Sequence, residues 1–156
     1  DVILHDEHVL VGISKRTNWA GYEFIKQAFP NKKVHALPLV VTDSPDTNIL
    51  HLDCAFQPVG DHNAIIYEEG FIAKPEIIYQ LFKEEDLIKV DIDQKQRMFP
   101  NVFSVSPDKV LVEENFTELI SVLTQKGIQA IRVKYQETSK LSGLLRCSTL
   151  PLVREH

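Results

Sequence analysis

The sequence predicts an α+β fold in which one strand–strand–helix–strand (ββαβ) unit is written three times and begun a fourth. Two features of the chain carry that expectation. Short apolar runs are joined in pairs by polar turns, and each pair leads into a stretch whose apolar residues recur at helical spacing. The pattern then restarts every roughly 45–55 residues, a period at which internal repeats pack about a common axis or stack in a row. The modules cover residues 1–41, 49–93 and 99–137, with a stub over 141–156, and the 156 residues are read together as a single domain. An ordinary α+β domain of unrelated hairpins and helices is the plainer alternative.

In the first module, Val2-Ile3-Leu4 and Val9-Leu10-Val11 flank the polar turn His5-Asp6-Glu7-His8 and read as a hairpin. A helix over roughly 18–29 follows, capped by Thr17 or Asn18, with Trp19, Tyr22, Ile25 and Phe29 at helical spacing. Val34 to Val41 is the closing strand, bent at Pro38, and Thr42–Asn48 is loop. The second module predicts a strand from Leu50 to Val59, a turn at Gly60–Asn63 and a strand from Ala64 to Tyr67. Pro75 then opens a helix at proline's preferred first position, with Ile77, Ile78, Leu81 and Phe82 inward, and Leu87 to Ile92 closes the unit as a strand. In the third, Val102–Val105 turns at Ser106–Lys109 into Val110–Val112. Asn115 and Glu118 resemble a capping box, Phe116, Leu119, Ile120 and Leu123 form a buried stripe, and Gly127 is a left-handed cap before an exit strand, Ile128 to Tyr135.

Composition excludes several classes of function. The net charge of −5 argues against a nucleic-acid surface, which needs a basic face. No apolar run approaches the length of a membrane span, and the N-terminal residues lack the basic-then-apolar order of a signal peptide. Two cysteines far apart, Cys54 and Cys147, make neither a disulfide framework nor a metal knuckle, so reduced thiols and a cytoplasmic location are expected. The six histidines lack zinc-binding spacing, and no metal or cofactor is called for.

Candidate chemistry lies at matching positions of the repeat. The starts of successive units hold Asp1, the stretch Leu50-His51-Leu52-Asp53, Pro100-Asn101, and Arg146-Cys147. In Gly143-Leu144-Leu145-Arg146-Cys147-Ser148 an apolar approach gives way to polar residues where the chain must turn, which would present a thiol at the end of a buried strand. A small buried core cysteine is the alternative. Strand alternation would put His51 and Asp53 on one face, and Cys54 on the other, as core. A thiol and an imidazole from distant sequence are the minimum for nucleophilic catalysis by cysteine. A carboxylate beside them would neutralise a cationic substrate and can grip a planar guanidinium through two hydrogen bonds.

These motifs resemble those of the guanidino-group-modifying enzymes, or penteins: dimethylarginine dimethylaminohydrolase, arginine deiminase and the amidinotransferases. Gly12-Ile13-Ser14-Lys15-Arg16-Thr17-Asn18 is similar to the stretch whose arginine binds the substrate carboxylate. Leu50-His51-Leu52-Asp53 resembles the stretch of the acid/base histidine, and Gly143–Ser148 that of the nucleophile, with Asn101-Val102 in its expected place between them. The resemblance implies five ββαβ modules in a propeller-like ring about a pseudo-fivefold axis, of which this chain holds the C-terminal three-fifths. The N-terminal remainder, including an acidic residue that orients the histidine three residues before Asp1, would be missing.

As the resemblance has it, Cys147 is the nucleophile, His51 the acid/base, Asp53 and Arg16 bind substrate, and the backbone at Leu141 and Ser142 contacts it. The implied reaction is hydrolysis of arginine or a methylated arginine through an amidino-cysteine to a ureido product such as citrulline. Ser-Lys-Arg-Thr-Asn leans towards dimethylarginine hydrolases and His-Leu-Asp towards deiminases and amidinotransferases, so the guanidino compound stays open. Two alternatives remain: an amidinotransferase, in which an amine replaces the water, and a non-enzymatic binding protein of the same fold. The partners implied are the small guanidino substrate and, as an open choice, a second copy in a homodimer.

Overall fold

The computed structural model describes residues 1–140 and 143–153. The chain divides into two compact units: Asp1–Pro58 with His62–Pro100, and Val59–Asp61 with the chain from Asn101 onward. Nine strands form three sheets of three among the described residues, each sheet taking three consecutive strands in sequence order. Each sheet belongs to one repeat of the sequence.

In the first sheet β1 (Val2–His5) and β2 (His8–Ile13) are an antiparallel hairpin whose register closes at His5 opposite His8. The chain then crosses over through α1 (Trp19–Ala28) to β3 (Lys33–Pro38), which runs parallel to β2. Asn18 is the N-cap, its side chain accepting the N–H of Gly21. Being central, β2 is buried on both faces along Val9, Leu10, Val11 and Gly12, whereas β1 alternates and leaves Val2 and Leu4 exposed.

The third sheet repeats the plan in the second unit. β7 (Phe103–Ser106) pairs antiparallel with β8 (Lys109–Glu113), and α4 (Thr117–Gln125) crosses over to β9 (Gln129–Val133), parallel to β8. Phe116, Leu119, Ile120 and Leu123 are buried, the stripe that their spacing predicts. Gly127 takes the left-handed conformation, φ 76°, in which a helix ends most easily on glycine.

The middle sheet departs most from expectation. β4 is only Phe56–Val59, because Leu52–Cys54 form a 3₁₀ turn closed by bonds from the N–H groups of Cys54 to His51 and of Ala55 to Leu52. β5 (Asn63–Ile66) pairs in parallel with β6 (Leu87–Lys89), joined through α2 (Glu76–Leu81), where Pro75 is the N-cap and not the first helical residue. The strand expected to reach Ile92 stops at Lys89. Asp91 and Gln94 make a reciprocal capping box that turns Ile92–Gln96 into a short helix, α3, which apolar periodicity alone does not reveal. The exit strand of the third module likewise ends at Val133, and Gln136–Ser139 form a single turn, α5.

Leu123, on the third sheet's crossover helix, is fully buried. Leu123→Ala therefore removes apolar burial and opens a cavity, a loss of about 2–5 kcal/mol that should lower the urea midpoint of the protein. An unchanged midpoint would show that α4 is not packed as described.

Candidate active site

In the first unit the Asp1 carboxylate gathers three donors. One oxygen, Oδ1, accepts the backbone N–H of Leu52 at 2.9 Å, and the other, Oδ2, accepts the hydroxyls of Ser14 and Thr17, each at 2.9 Å. The loop after β2 closes on itself, with the Ser14 N–H donating to the Thr17 carbonyl and Ser14 Oγ accepting the N–H groups of Arg16 and Thr17. Arg16 is thereby held at an exposed corner. Lys15 reaches the other way and donates to the Thr42 carbonyl and to Asp43.

His51 stands at the N-cap of the 3₁₀ turn, in extended conformation and half-buried. Burial is the largest cause that lowers its pKa below 6.5, the Asp53 carboxylate opposes it, and the Arg16 guanidinium acts with burial. Its imidazole is thus biased towards the neutral form, which can accept a proton. Those couplings group His51, Asp53 and Arg16 in one electrostatic neighbourhood. The reason is not the one expected: with a 3₁₀ turn in place of a strand, alternation cannot put His51 and Asp53 on one face, nor Cys54 on the other. Cys54 is half-buried rather than core, its sulfur 4.0 Å from Asp53 Oδ1.

The second unit holds Cys147. No strand leads to it; the buried pair Leu144 and Leu145 anchors a turn over Leu145–Ser148 that leaves the cysteine exposed. Gly143 opens that turn at φ 94°. Asn101, only 1% exposed, grips it from below. Its Nδ2 donates to Cys147 Sγ at 3.1 Å, its Oδ1 accepts the Cys147 N–H at 3.2 Å, and its carbonyl accepts the N–H of Arg146 at 3.2 Å. Ser148 Oγ, next along, receives the Tyr135 hydroxyl at 2.7 Å.

Leu141 and Ser142, the backbone contacts suggested by the sequence, lie outside the described residues. Asp1 and Asn101 were visible only as residues at matching starts of the repeat; their roles follow from hydrogen bonds that the sequence does not spell. Among the described residues no group of three or more His, Cys, Asp or Glu side chains is arranged to hold a metal, and no helix is long and apolar enough to cross a membrane.

Comparison with solved structures places this arrangement in the pentein fold. The N-terminal domain of ArgZ bound to product, an arginine dihydrolase from the ornithine–ammonia cycle in Cyanobacteria, superposes with a TM-score of 0.81 at 21% identity, over 96% of this chain and 54% of its own. The family model for eukaryotic N,N dimethylarginine dimethylhydrolase matches residues 1–154, and the chain belongs to that family, within the guanidino-modifying pentein superfamily. YkgA of Bacillus subtilis strain 168 is 30% identical over 154 residues, which are 99% of this chain and 51% of YkgA. The arginine deiminase of Listeria monocytogenes (strain EGD-e) is 25% identical over 190 residues, 100% of this chain and 46% of the deiminase. The chain therefore spans about half the length of the curated relatives it matches.

A histidine whose pKa is lowered by folding binds fewer protons folded than unfolded. Acidification from the ordinary value of 6.5 downward should therefore destabilise the protein through His51. Urea midpoints measured at neutral pH and below should fall, and His51→Gln should make that fall shallower. An equal fall in the variant would contradict the assignment.

Proposed function

We propose that the chain carries the thiol and imidazole of a hydrolase that cleaves a C–N bond in the guanidino group of arginine or a methylated arginine. What supports this reading most is the exposed Cys147 sulfur on a turn anchored by buried leucines and receiving the Asn101 amide. A structural cysteine has no need of exposure together with a directed donor. Family membership supports a guanidino compound as the substrate.

In the proposed reaction His51 takes the thiol proton as Cys147 Sγ bonds to the guanidinium carbon. The C–N bond to the departing amine then breaks, and that nitrogen takes its proton from the His51 imidazolium. The amidino group is left on sulfur. Water attacks the same carbon, its proton passing to His51, and the C–S bond breaks to release a ureido product and restore the thiol. Asp53 balances the substrate's positive charge, and Arg16 pairs with its carboxylate. Backbone contacts from Leu141 and Ser142 complete the proposed set.

In the intact protein, Cys147→Ser should abolish both ureido-product formation and covalent labelling by a haloacetamidine, while Cys54→Ser retains both. Citrulline release from arginine, methylated arginine and agmatine identifies the preferred compound. Equal labelling of the two variants would refute the nucleophile assignment.

A further inference from the structure

We infer that Asp1 is a positioning residue that ties the substrate-carboxylate anchor to the imidazole through a single carboxylate. The inference rests on the functional reading above for Arg16 and His51, and it adds a residue that touches neither substrate nor reacting atoms. Its basis is the division of labour between two oxygens. Oδ2 holds the loop of Arg16 through Ser14 and Thr17, and Oδ1 holds the turn of His51 through the Leu52 N–H, 51 residues away in sequence.

None of these bonds has a substitute within the cluster. Ser14 Oγ already accepts two backbone N–H groups, from Arg16 at 3.0 Å and Thr17 at 3.3 Å, so its lone pairs are used and its proton must go to an acceptor. The Leu52 N–H opens a turn whose own bonds begin further along, at Cys54 and Ala55, so it too needs an outside acceptor. Both oxygens are therefore required as acceptors, and an asparagine amide fails at one end whichever way it is turned. The place is also sterically fixed. The Gly12 N–H donates to the Asp1 carbonyl at 2.8 Å, and a side-chain carbon on Gly12 would lie 2.9 Å from Leu52 Cβ and 3.1 Å from Asp1 Oδ1. Gly12, Asp1 and Leu52 thus meet with no room to slide, and the spacing of Arg16 from His51 follows from that contact.

The test compares Asp1→Asn with Arg16→Ala in the intact protein, using arginine (or the methylated arginine that wild type prefers) and agmatine, which lacks the carboxylate. Arg16→Ala should raise KM for the carboxylate substrate roughly tenfold to a hundredfold, the loss of a charged hydrogen bond, and raise KM for agmatine, which has no carboxylate to pair, much less. Asp1→Asn should reproduce that KM defect and also lower kcat on both substrates at least tenfold, because the imidazole's turn is released with the anchor. A merely structural role would lower the folded fraction while KM and kcat per folded molecule stay at wild type, and that result overturns the proposal. So does an Asp1→Asn split identical to that of Arg16→Ala. Amide hydrogen exchange reads the tether without substrate: in Asp1→Asn the Leu52 and Thr17 amides should lose protection at least tenfold while Val110 does not. Unchanged exchange at Leu52 refutes the tether even in an active enzyme. Lost protection in a protein whose wild type turns over no guanidine refutes the functional reading alone.

Discussion

Two polar side chains standing just ahead of the first strands of their modules hold the groups proposed to react. Asp1 precedes β1 and fixes the loop of Arg16 and the turn of His51; Asn101 precedes β7 and fixes the turn of Cys147. Neither turn has a regular ladder to hold it. His51 sits at the head of a 3₁₀ turn and Cys147 in a four-residue turn, both places where backbone groups lack secondary-structure partners. Hydrogen bonds to a carboxylate contribute about 1.5–3 kcal/mol each and neutral ones about 1 kcal/mol, and leaving a buried donor unmade costs about 1–3 kcal/mol. The anchors therefore decide the geometry, while the sheets supply the rigid ground on which the anchors stand.

The same economy explains why the repeat is useful. A ββαβ unit buries its central strand on both faces and delivers the start of its first strand to one edge of the sheet, so chemistry can be varied there without disturbing the core. In the second unit the apolar part of the Cys147 turn, Leu144 and Leu145, is packed at 1% and 4% exposure, and only the following residues emerge. Cys147 is exposed by the same two leucines that anchor it.

Much of the fold was legible because period and punctuation agree. The hairpin around His5–His8, the helix capped at Asn18, the stripe Phe116–Leu123 and the cap at Gly127 all follow from local chemistry that the tertiary structure leaves intact. Failures cluster where one tertiary bond outvotes local pattern. Leu50–Ala55 reads as strand, yet the Asp1 carboxylate 51 residues away takes the Leu52 N–H and a 3₁₀ turn results. Asp91 and Gln94 spell a capping box in sequence, but it starts a helix too short for apolar periodicity to register. Of the candidate site, the residue types were readable and the supports were not: nothing in the words Asp1 and Asn101 says which amide or hydroxyl each will meet. The pairing of His51 with Asp53 illustrates the risk, since the two are coupled electrostatically although the strand argument for it does not hold.

The central claim is that the sulfur of Cys147 forms a bond to a guanidinium carbon during turnover. Acid-quenching the intact protein in the presence of its guanidino substrate, followed by peptide mass mapping, tests it without any substitution. An amidino adduct on the peptide that carries Cys147, absent when substrate is withheld, is the result expected. An adduct confined to the peptide that carries Cys54, or turnover that leaves no adduct on either cysteine, would contradict it.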